Sequence, residues 1–302
     1  MKRLLLAVLA IIAAAYAVAV NWASATDATV DISAKTPAPL PFLFRAGVFT
    51  YAPVPPPEPL RLLTQDLKAG TVEFDLGRLA FRDAVDAADV LYRARILVPR
   101  LQAVREAGGE VVLAFTQIPL WLSSRSTSVQ LLAGDILRVG NVSPPRDGTE
   151  WAALVQRVVQ QMRSDLQFSP RYKVGWEPDG QSWQGTEAEF FTFYRDTAIG
   201  IRMGDPNAKV GGPSVSALYN GRGTEDPMLR RFIRYCAATP VSNLGWTRLP
   251  LDFLVWHQFE SNHLTSWANA ARQAKQWLAD GGYSTGTELL IGEWSSWRSF
   301  PD

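Results

Sequence analysis

The stretch RYKVGWEPDGQSWQGTEAEFFTFYRDTAIGIRMGDPNAKVGGPSV, residues 171–215, combines two hydrophobic patterns. Its two ends, at 171–177 and 209–215, are short apolar runs that predict β-strands. Between them, residues 186–203 carry apolar side chains at helical spacing and predict an α-helix. Two strands joined by a helix predict a βαβ unit, in which the strands lie parallel and the helix covers one face of the sheet.

The same alternation continues on both sides of this unit. Further strands are predicted at 44–49, 71–76, 110–117, 251–259 and 288–294, and further helices at 82–107, 149–162, 226–238 and 263–280. Residues 51–59, YAPVPPPEP, are predicted to form an extended loop. Apolar strands separated by helices indicate an α/β fold with a parallel sheet covered on both faces.

Two architectures fit this pattern, a closed (β/α)8 TIM barrel and an open doubly wound sheet. No glycine-rich phosphate fingerprint follows the first strand, which weakens the nucleotide-binding open sheet. Polar residues recur at the carboxyl ends of strands (Gln117, Glu177, His257 and Glu293), as in barrels. The barrel is therefore favoured. Only seven strands are predicted, so the last β/α unit is expected to be missing through truncation at the C-terminus.

The N-terminus has the pattern of a targeting segment. Lys2 and Arg3 precede an apolar run at 4–20, and Ala23-Ser24-Ala25 offers a small-x-small cleavage site. Residues 1–25 are thus predicted to be a secretory signal peptide, with an uncleaved inner-membrane anchor as the alternative. A proline-rich linker at 26–43 then leads to a catalytic barrel at 44–302. Either interpretation predicts an exported protein, periplasmic or extracellular.

Composition narrows the functional classes. A formal net charge of +1 over 302 residues argues against a nucleic-acid partner. The single cysteine, Cys236, excludes an internal disulfide framework. His257 and His263 match no zinc spacing, and no metal or organic cofactor is expected.

Glu177 and Glu293 are the candidate catalytic pair. Each ends an apolar run, each has a neighbouring tryptophan, and strand ends of a barrel converge on one rim. Glycoside hydrolysis needs two carboxyl groups on opposite sides of one bond, at about 5 Å for retention and about 6.5–9.5 Å for inversion. Flat indole rings suit the apolar faces of sugars, although any one tryptophan is more often a core residue. The candidate substrate-binding residues are Trp121, Trp176, Trp183, His257 and Trp294.

Several motifs in this order resemble clan A glycoside hydrolases, most closely glycoside hydrolase family 39 and related bacterial barrels that act on exopolysaccharides. They are IPLWLSS at 118–124, WEPDGQSW at 176–183, DPNAKVGGP at 205–213, VWHQF at 255–259 and LLIGEW at 289–294. The resemblance spans roughly residues 110–297. It implies retaining hydrolysis of a polysaccharide or oligosaccharide, with Glu177 as general acid/base, Glu293 as nucleophile and His257 lining the site.

Two positions depart from the pattern of this family. Trp176 stands where the family has an asparagine before the acid/base, and Phe259 stands near the position of a common tyrosine. The asparagine normally bonds the 2-hydroxyl of the sugar, and the tyrosine is a hydroxyl partner for the nucleophile. Both departures favour the alternative function, a non-catalytic glycan-binding barrel derived from a glycosidase.

Overall fold

The computed structural model describes residues 47–50, 55–66, 69–125, 129–132, 135–180, 182–219, 226–259, 264–283 and 286–294. All of them belong to the unit Phe44–Asp302. The predicted signal peptide or anchor at 1–25, the linker at 26–43 and His263 lie outside the described residues. Across the described ranges, no helix combines the length and apolar character that crossing a membrane requires.

The described residues form nine strands and six α-helices. The strands are β1 (Gly47–Thr50), β2 (Thr71–Asp75), β3 (Glu110–Phe115), β4 (Val129–Leu132), β5 (Asp135–Arg138), β6 (Arg171–Val174), β7 (Lys209–Val215), β8 (Phe253–Gln258) and β9 (Glu288–Trp294). The helices are α1 (Pro57–Gln65), α2 (Ala87–Glu106), α3 (Gly148–Leu166), α4 (Glu187–Gly204), α5 (Met228–Ala238) and α6 (Leu264–Asp280).

Seven of these strands form one parallel sheet in the order β1-β2-β3-β6-β7-β8-β9. Each strand therefore pairs with the next sheet strand along the chain, with a helix between most of them. A doubly wound sheet would reverse its order at a switch point, whereas a TIM barrel keeps chain order throughout. The sheet is thus part of a barrel, and the two short strands β4 and β5 form a separate antiparallel hairpin. The missing last unit stays a prediction.

Three local predictions were wrong or incomplete. Residues 57–59 of the predicted extended loop belong to α1, because Pro57 stands at the first turn of this helix, where a proline needs no N–H partner. The strand predicted at 171–177 ends at Val174, because Gly175 (φ 94°) and Glu177 (φ 45°) leave extended geometry. The β4–β5 hairpin and a π-helical turn at Gly77–Phe81 were not predicted.

The helices begin where side chains cap their exposed N–H groups. Asp147 accepts hydrogen bonds from the first turn of α3, and Thr186 with Glu189 forms a complete capping box at α4. α4 packs closely on α3 because a Cβ at Gly200 would lie 2.5 Å from the carbonyl oxygen of Ala152. These two helices lie on either side of β6 in sequence, and they fix the position from which the loop carrying Glu177 starts.

The sheet separates an apolar outer layer from a charged interior. Tyr172 and Val174 of β6 are buried in the core that includes the helices. Between them, Lys173 points to the other side, where its Nζ lies 2.6 Å from Oε1 of Glu73 on β2. This alternation follows from the period-two geometry of a strand. The polar interior lies beneath the strand ends that carry the candidate site.

Candidate active site

The structure brings Glu177 and Glu293 together. Glu177 follows β6, and Glu293 is the penultimate residue of β9. Three atoms lie within 4.8 Å of one another: one carboxylate oxygen of each glutamate and a ring nitrogen of His257. The Glu177 and Glu293 side chains are 24% and 21% exposed, so both contact solvent from a mostly enclosed position. This separation matches the roughly 5 Å between carboxyl groups that a retaining glycosidase uses.

The backbone holds Glu177 in a left-handed conformation. Its φ of 45° is uncommon for a residue with a side chain, and two hydrogen bonds secure it. The Glu177 N–H donates to the carbonyl of Ser214 at 2.7 Å, and the Gly180 N–H donates to the carbonyl of Glu177 at 2.9 Å. Asp179 adds a tether, because it accepts from the N–H and the hydroxyl of Ser216 at 2.9 and 2.8 Å. The loop after β6 is therefore fastened to the end of β7.

His257 connects Glu177 to the barrel wall. Its ring is fully buried, with Nδ1 at 2.8 Å from Oε1 of Glu177 and Nε2 at 2.9 Å from Oγ of Ser214. When Glu177 is ionised, its carboxylate can only accept, and Nδ1 then carries the proton of this hydrogen bond. In the neutral ring, Nε2 then accepts from the Ser214 hydroxyl. The order Ser214–His257–Glu177 fixes the direction in which the Glu177 carboxyl group points.

Glu293 has a different partner. Nε1 of Trp176 donates to Oε1 of Glu293 at 2.7 Å, while Oε2 lies 4.0 Å from Nδ1 of His257. The guanidinium of Arg78 lies over the Trp176 ring, 5.3 Å from its centroid. Arg78 pairs in turn with Asp75 at 3.2 Å. Burial raises the pKa of Asp75, and the hydrogen bond from Thr116 and the charge of Arg78 partly oppose this shift.

The other predicted tryptophans have different surroundings. Trp294 is 60% exposed and meets Trp267 edge to face at 5.8 Å, so its ring remains open to a ligand. Trp121 is partly buried, and its Nε1 has no hydrogen-bond partner among the described residues. Trp183 is only 7% exposed, and its Nε1 donates to the carbonyl of Thr186 at 3.0 Å. This core position does not support the predicted sugar contact at Trp183.

Sequence reasoning missed three residues around the carboxylates: Ser214, Arg78 and Asp75. Ser214 lies inside the quoted GGPSV motif, so its position at the end of β7 could have been predicted from the sequence. No sequence pattern indicated that Arg78 would lie over Trp176. Gln117, predicted at a strand end, is buried, and its Oε1 has no partner among the described residues. It lines a small cavity with Arg78 and Trp176.

The oxygen atoms and the nitrogen of Glu177, His257 and Glu293 are also of the types that divalent cations bind. The contacts within the group disfavour a cation. Nδ1 of His257 already bonds directly to Oε1 of Glu177, and Oε1 of Glu293 already accepts from Trp176. A cation would have to displace these hydrogen bonds.

The parallel barrel strands and the site at their carboxyl ends define the class of a barrel glycoside hydrolase. The family model described as glycosyl hydrolases family 39 matches residues 101–279. The chain belongs to this family. The predicted relation to clan A glycoside hydrolases is thereby confirmed.

Individual relatives are more distant. A β-xylosidase from Geobacillus stearothermophilus is 29% identical over 133 residues, which are 40% of this chain and 23% of the relative. A glucosidase structure from Croceicoccus marinus has a TM-score of 0.58 at 20% identity, over 82% of this chain and 51% of that one. A family 39 β-xylosidase structure from Caulobacter crescentus has a TM-score of 0.57 at 18% identity, over 88% of this chain and 57% of that one.

These structures show similarity of fold. The chain spans about a quarter of the length of the curated relative and about half of each solved structure.

Proposed function

We propose that this chain is the catalytic barrel of an exported, retaining glycoside hydrolase that cleaves O-glycosidic bonds of a polysaccharide or oligosaccharide. One observation carries the proposal: Glu177 and Glu293 have carboxylate oxygens within 4.8 Å of each other at the mouth of the strands. That spacing leaves no room for the water that inversion places between the carboxylate and the sugar. Family membership supports a carbohydrate substrate.

In the first step, Glu177 donates its proton to the glycosidic oxygen while Glu293 attacks the anomeric carbon. The C–O bond to the leaving group breaks, the leaving group departs as an alcohol, and a glycosyl ester forms on Glu293. In the second step, Glu177 removes a proton from water, which attacks the same carbon and releases Glu293. Two inversions at one carbon give net retention.

The polymer substrate and the export route rest on separate observations. The exposed ring of Trp294 beside Glu293 offers a flat surface to a sugar unit next to the cleavage point. The related β-xylosidase and glucosidase are named for activity on glycosides, which fits the same bond class. Lys2-Arg3 and the apolar run at 4–20 support export.

The alternative is a non-catalytic glycan-binding barrel. It is favoured by Trp176, which replaces the asparagine of the family and therefore supplies no amide to the 2-hydroxyl of the sugar. It is disfavoured by the intact arrangement Ser214–His257–Glu177, since a binding protein has no need to orient an acid/base.

Hydrolysis and product stereochemistry test the proposal. Wild-type protein is incubated with a polysaccharide panel and with aryl glycosides, and the first-formed anomer is identified by ¹H NMR. Glu177→Gln and Glu293→Gln should each abolish release of reducing ends. With an activated aryl glycoside, Glu177→Ala plus azide should yield a glycosyl azide of retained configuration, and Glu293→Ala plus azide one of inverted configuration.

Three outcomes contradict the proposal. Glycan binding without turnover in the wild type establishes the binding protein instead. A first-formed product with inverted anomeric configuration would contradict the covalent intermediate. Full activity of either glutamine variant removes that residue from the mechanism. Export is tested by fusing alkaline phosphatase after residue 43; an inactive fusion in cells that export a control fusion overturns it.

A further inference from the structure

We infer that Trp176 is a positioning residue for the nucleophile: its indole N–H holds Oε1 of Glu293, so that Oε2 attacks the sugar. This inference rests on the proposed function. It assigns a catalytic positioning role to a residue that the sequence indicated only as a sugar contact in place of an asparagine.

The two oxygens of Glu293 are not equivalent. Oε1 accepts from Nε1 of Trp176 at 2.7 Å, a short bond of the charge-assisted kind. Oε2 is the oxygen on the side of His257, whose Nδ1 lies 4.0 Å away, and His257 is bonded to Glu177. The leaving oxygen of a substrate has to reach Glu177. The anomeric carbon beside it therefore lies closer to Oε2 than to Oε1.

The indole bond also fits the intermediate. When Oε2 forms the ester bond, Oε1 becomes the carbonyl oxygen of that ester and can still accept from the indole N–H. When water releases the sugar, the electron pair returns to Oε2 and the carboxylate is restored. The Trp176 contact thus need not break or re-form in either step, and it costs no reorganisation.

The indole is itself held in place. Arg78 covers its ring at 5.3 Å, and Asp75, which is 8% exposed, anchors Arg78 at 3.2 Å. Asp75 also accepts from the backbone N–H of Arg78 at 3.1 Å and from Oγ1 of Thr116 at 2.5 Å. A tryptophan side chain has two rotatable bonds and one donor, so a clamped ring can direct that donor at only one atom.

Other tryptophans in the described part of the chain bond to groups with no part in the reaction. Nε1 of Trp151 donates to Oγ1 of Thr197, and Nε1 of Trp183 donates to a backbone carbonyl. Both rings are buried in the core. Trp176 differs because its partner is the reacting carboxylate and its ring lies at the site rather than in the apolar layer.

The decisive variant is Trp176→Phe, which keeps an aromatic ring under Arg78 and removes the N–H together with the five-membered ring that carries it. We expect kcat to fall about 10- to 100-fold, the rate equivalent of one hydrogen bond to a charged group, with KM nearly unchanged. Trp246→Phe, a matched change at the opposite end of the strands, should keep wild-type kcat. A purely structural role for Trp176 would instead lower the melting temperature and leave kcat of the folded protein intact.

A spectroscopic readout does not depend on turnover. In ¹⁵N-labelled protein, the indole proton of Trp176, assigned by its loss in Trp176→Phe, should resonate downfield and move upfield in Glu293→Ala. An unmoved signal overturns the inference, and so does wild-type kcat in Trp176→Phe when the parent enzyme is active. If the wild-type protein has no hydrolase activity, the proposed function is overturned. The hydrogen bond from Trp176 to Glu293 then has no catalytic role.

Discussion

The hydroxyl of Ser214 lies 2.9 Å from Nε2 of His257, and both side chains are completely buried. The opposite ring nitrogen, Nδ1, lies 2.8 Å from Oε1 of Glu177, so the imidazole links the serine to the candidate acid/base. Ser214 also accepts from the Glu177 N–H through its carbonyl. A single residue at the end of β7 therefore holds Glu177 twice, once through the backbone and once through an imidazole.

Removing the Ser214 hydroxyl should weaken this hold. Ser214→Ala leaves Nε2 of a buried imidazole without its partner, which costs about 1–3 kcal/mol, and we expect kcat to fall about tenfold. Ser214 has a φ of 62°, a strained conformation that alanine shares and glycine relieves, so Ser214→Gly removes the hydroxyl without keeping that strain. Steady-state kinetics and thermal melting measure both. Ser242→Ala, at an exposed turn, is the control; wild-type kcat in Ser214→Gly would contradict the assignment.

Trp183 and Trp294 should respond in opposite ways to truncation. Trp183 packs on Phe190 and Phe193 in the core, so Trp183→Ala should lower the free energy of unfolding by about 3–5 kcal/mol. Trp294→Ala removes an exposed ring, and it should raise KM for a polymer while stability changes little. Urea unfolding and kinetics on the same samples test the contrast. A stable Trp183→Ala protein with a raised KM would restore the sugar contact predicted from sequence.

The sequence predicted the parts of this site that follow from strand periodicity. Carboxyl ends of neighbouring parallel strands meet at one edge, so a glutamate after β6 and another near the end of β9 were expected to converge. Their convergence needs only the order and direction of the strands. Reasoning from sequence failed for α1. A run of prolines predicted a loop, but Pro57 stands in the first turn of a helix, where proline is accepted.

Side-chain partners could not be predicted in the same way. Arg78 follows β2 and Trp176 follows β6, and their contact depends on the turn at Gly77–Phe81, which no periodic pattern indicates. A Cβ at Gly77 would lie 2.4 Å from the backbone nitrogen of Gln117, so this turn needs a glycine. From sequence, Trp176 was predicted to bind the substrate and to replace an asparagine. The role inferred for Trp176 depends on a 2.7 Å hydrogen bond to Glu293, which is far away in sequence.

The ion pair between Glu73 and Lys173 should be strongly coupled. Nζ lies 2.6 Å from Oε1, the two side chains are 15% and 2% exposed, and burial raises the pKa of Glu73 against the lowering effect of the Lys173 charge. Glu73→Gln or Lys173→Met alone leaves one buried charge uncompensated, at about 3–5 kcal/mol in the free energy of unfolding. The double variant should recover most of that loss.

Chemical unfolding of the four proteins in this double-mutant cycle measures the coupling energy. The exposed pair Arg95–Asp165, with nitrogen and oxygen 3.3 Å apart, provides a matched cycle in which the coupling should stay below about 1 kcal/mol. Equal coupling in the two cycles would mean that the interior pair is solvated, contrary to its burial.

Stability should fall at alkaline pH because three buried acids and one partly buried acid resist ionisation. Burial raises the pKa of the phenols of Tyr172, Tyr194 and Tyr283 and of the Cys236 thiol. Above the ordinary pKa of about 8.5 for a thiol and about 10 for a phenol, the unfolded chain loses protons that the folded chain keeps. The folded state then binds more protons, so the free energy of unfolding decreases with rising pH. The stabilisation is complete below about pH 8 and is lost progressively above it.

Urea unfolding between pH 8 and 10.5 measures this slope, which for each fully contributing group approaches about 1.4 kcal/mol per pH unit. Tyr283→Phe should make the slope shallower, because it removes a phenol whose hydroxyl donates to the carbonyl of Leu249 at 3.0 Å, a bond that the ionised form cannot make. Tyr92→Phe removes a phenol that is mostly exposed and should leave the slope unchanged. Identical slopes in all three proteins would show that Tyr283 ionises as readily in the folded chain as in the unfolded one.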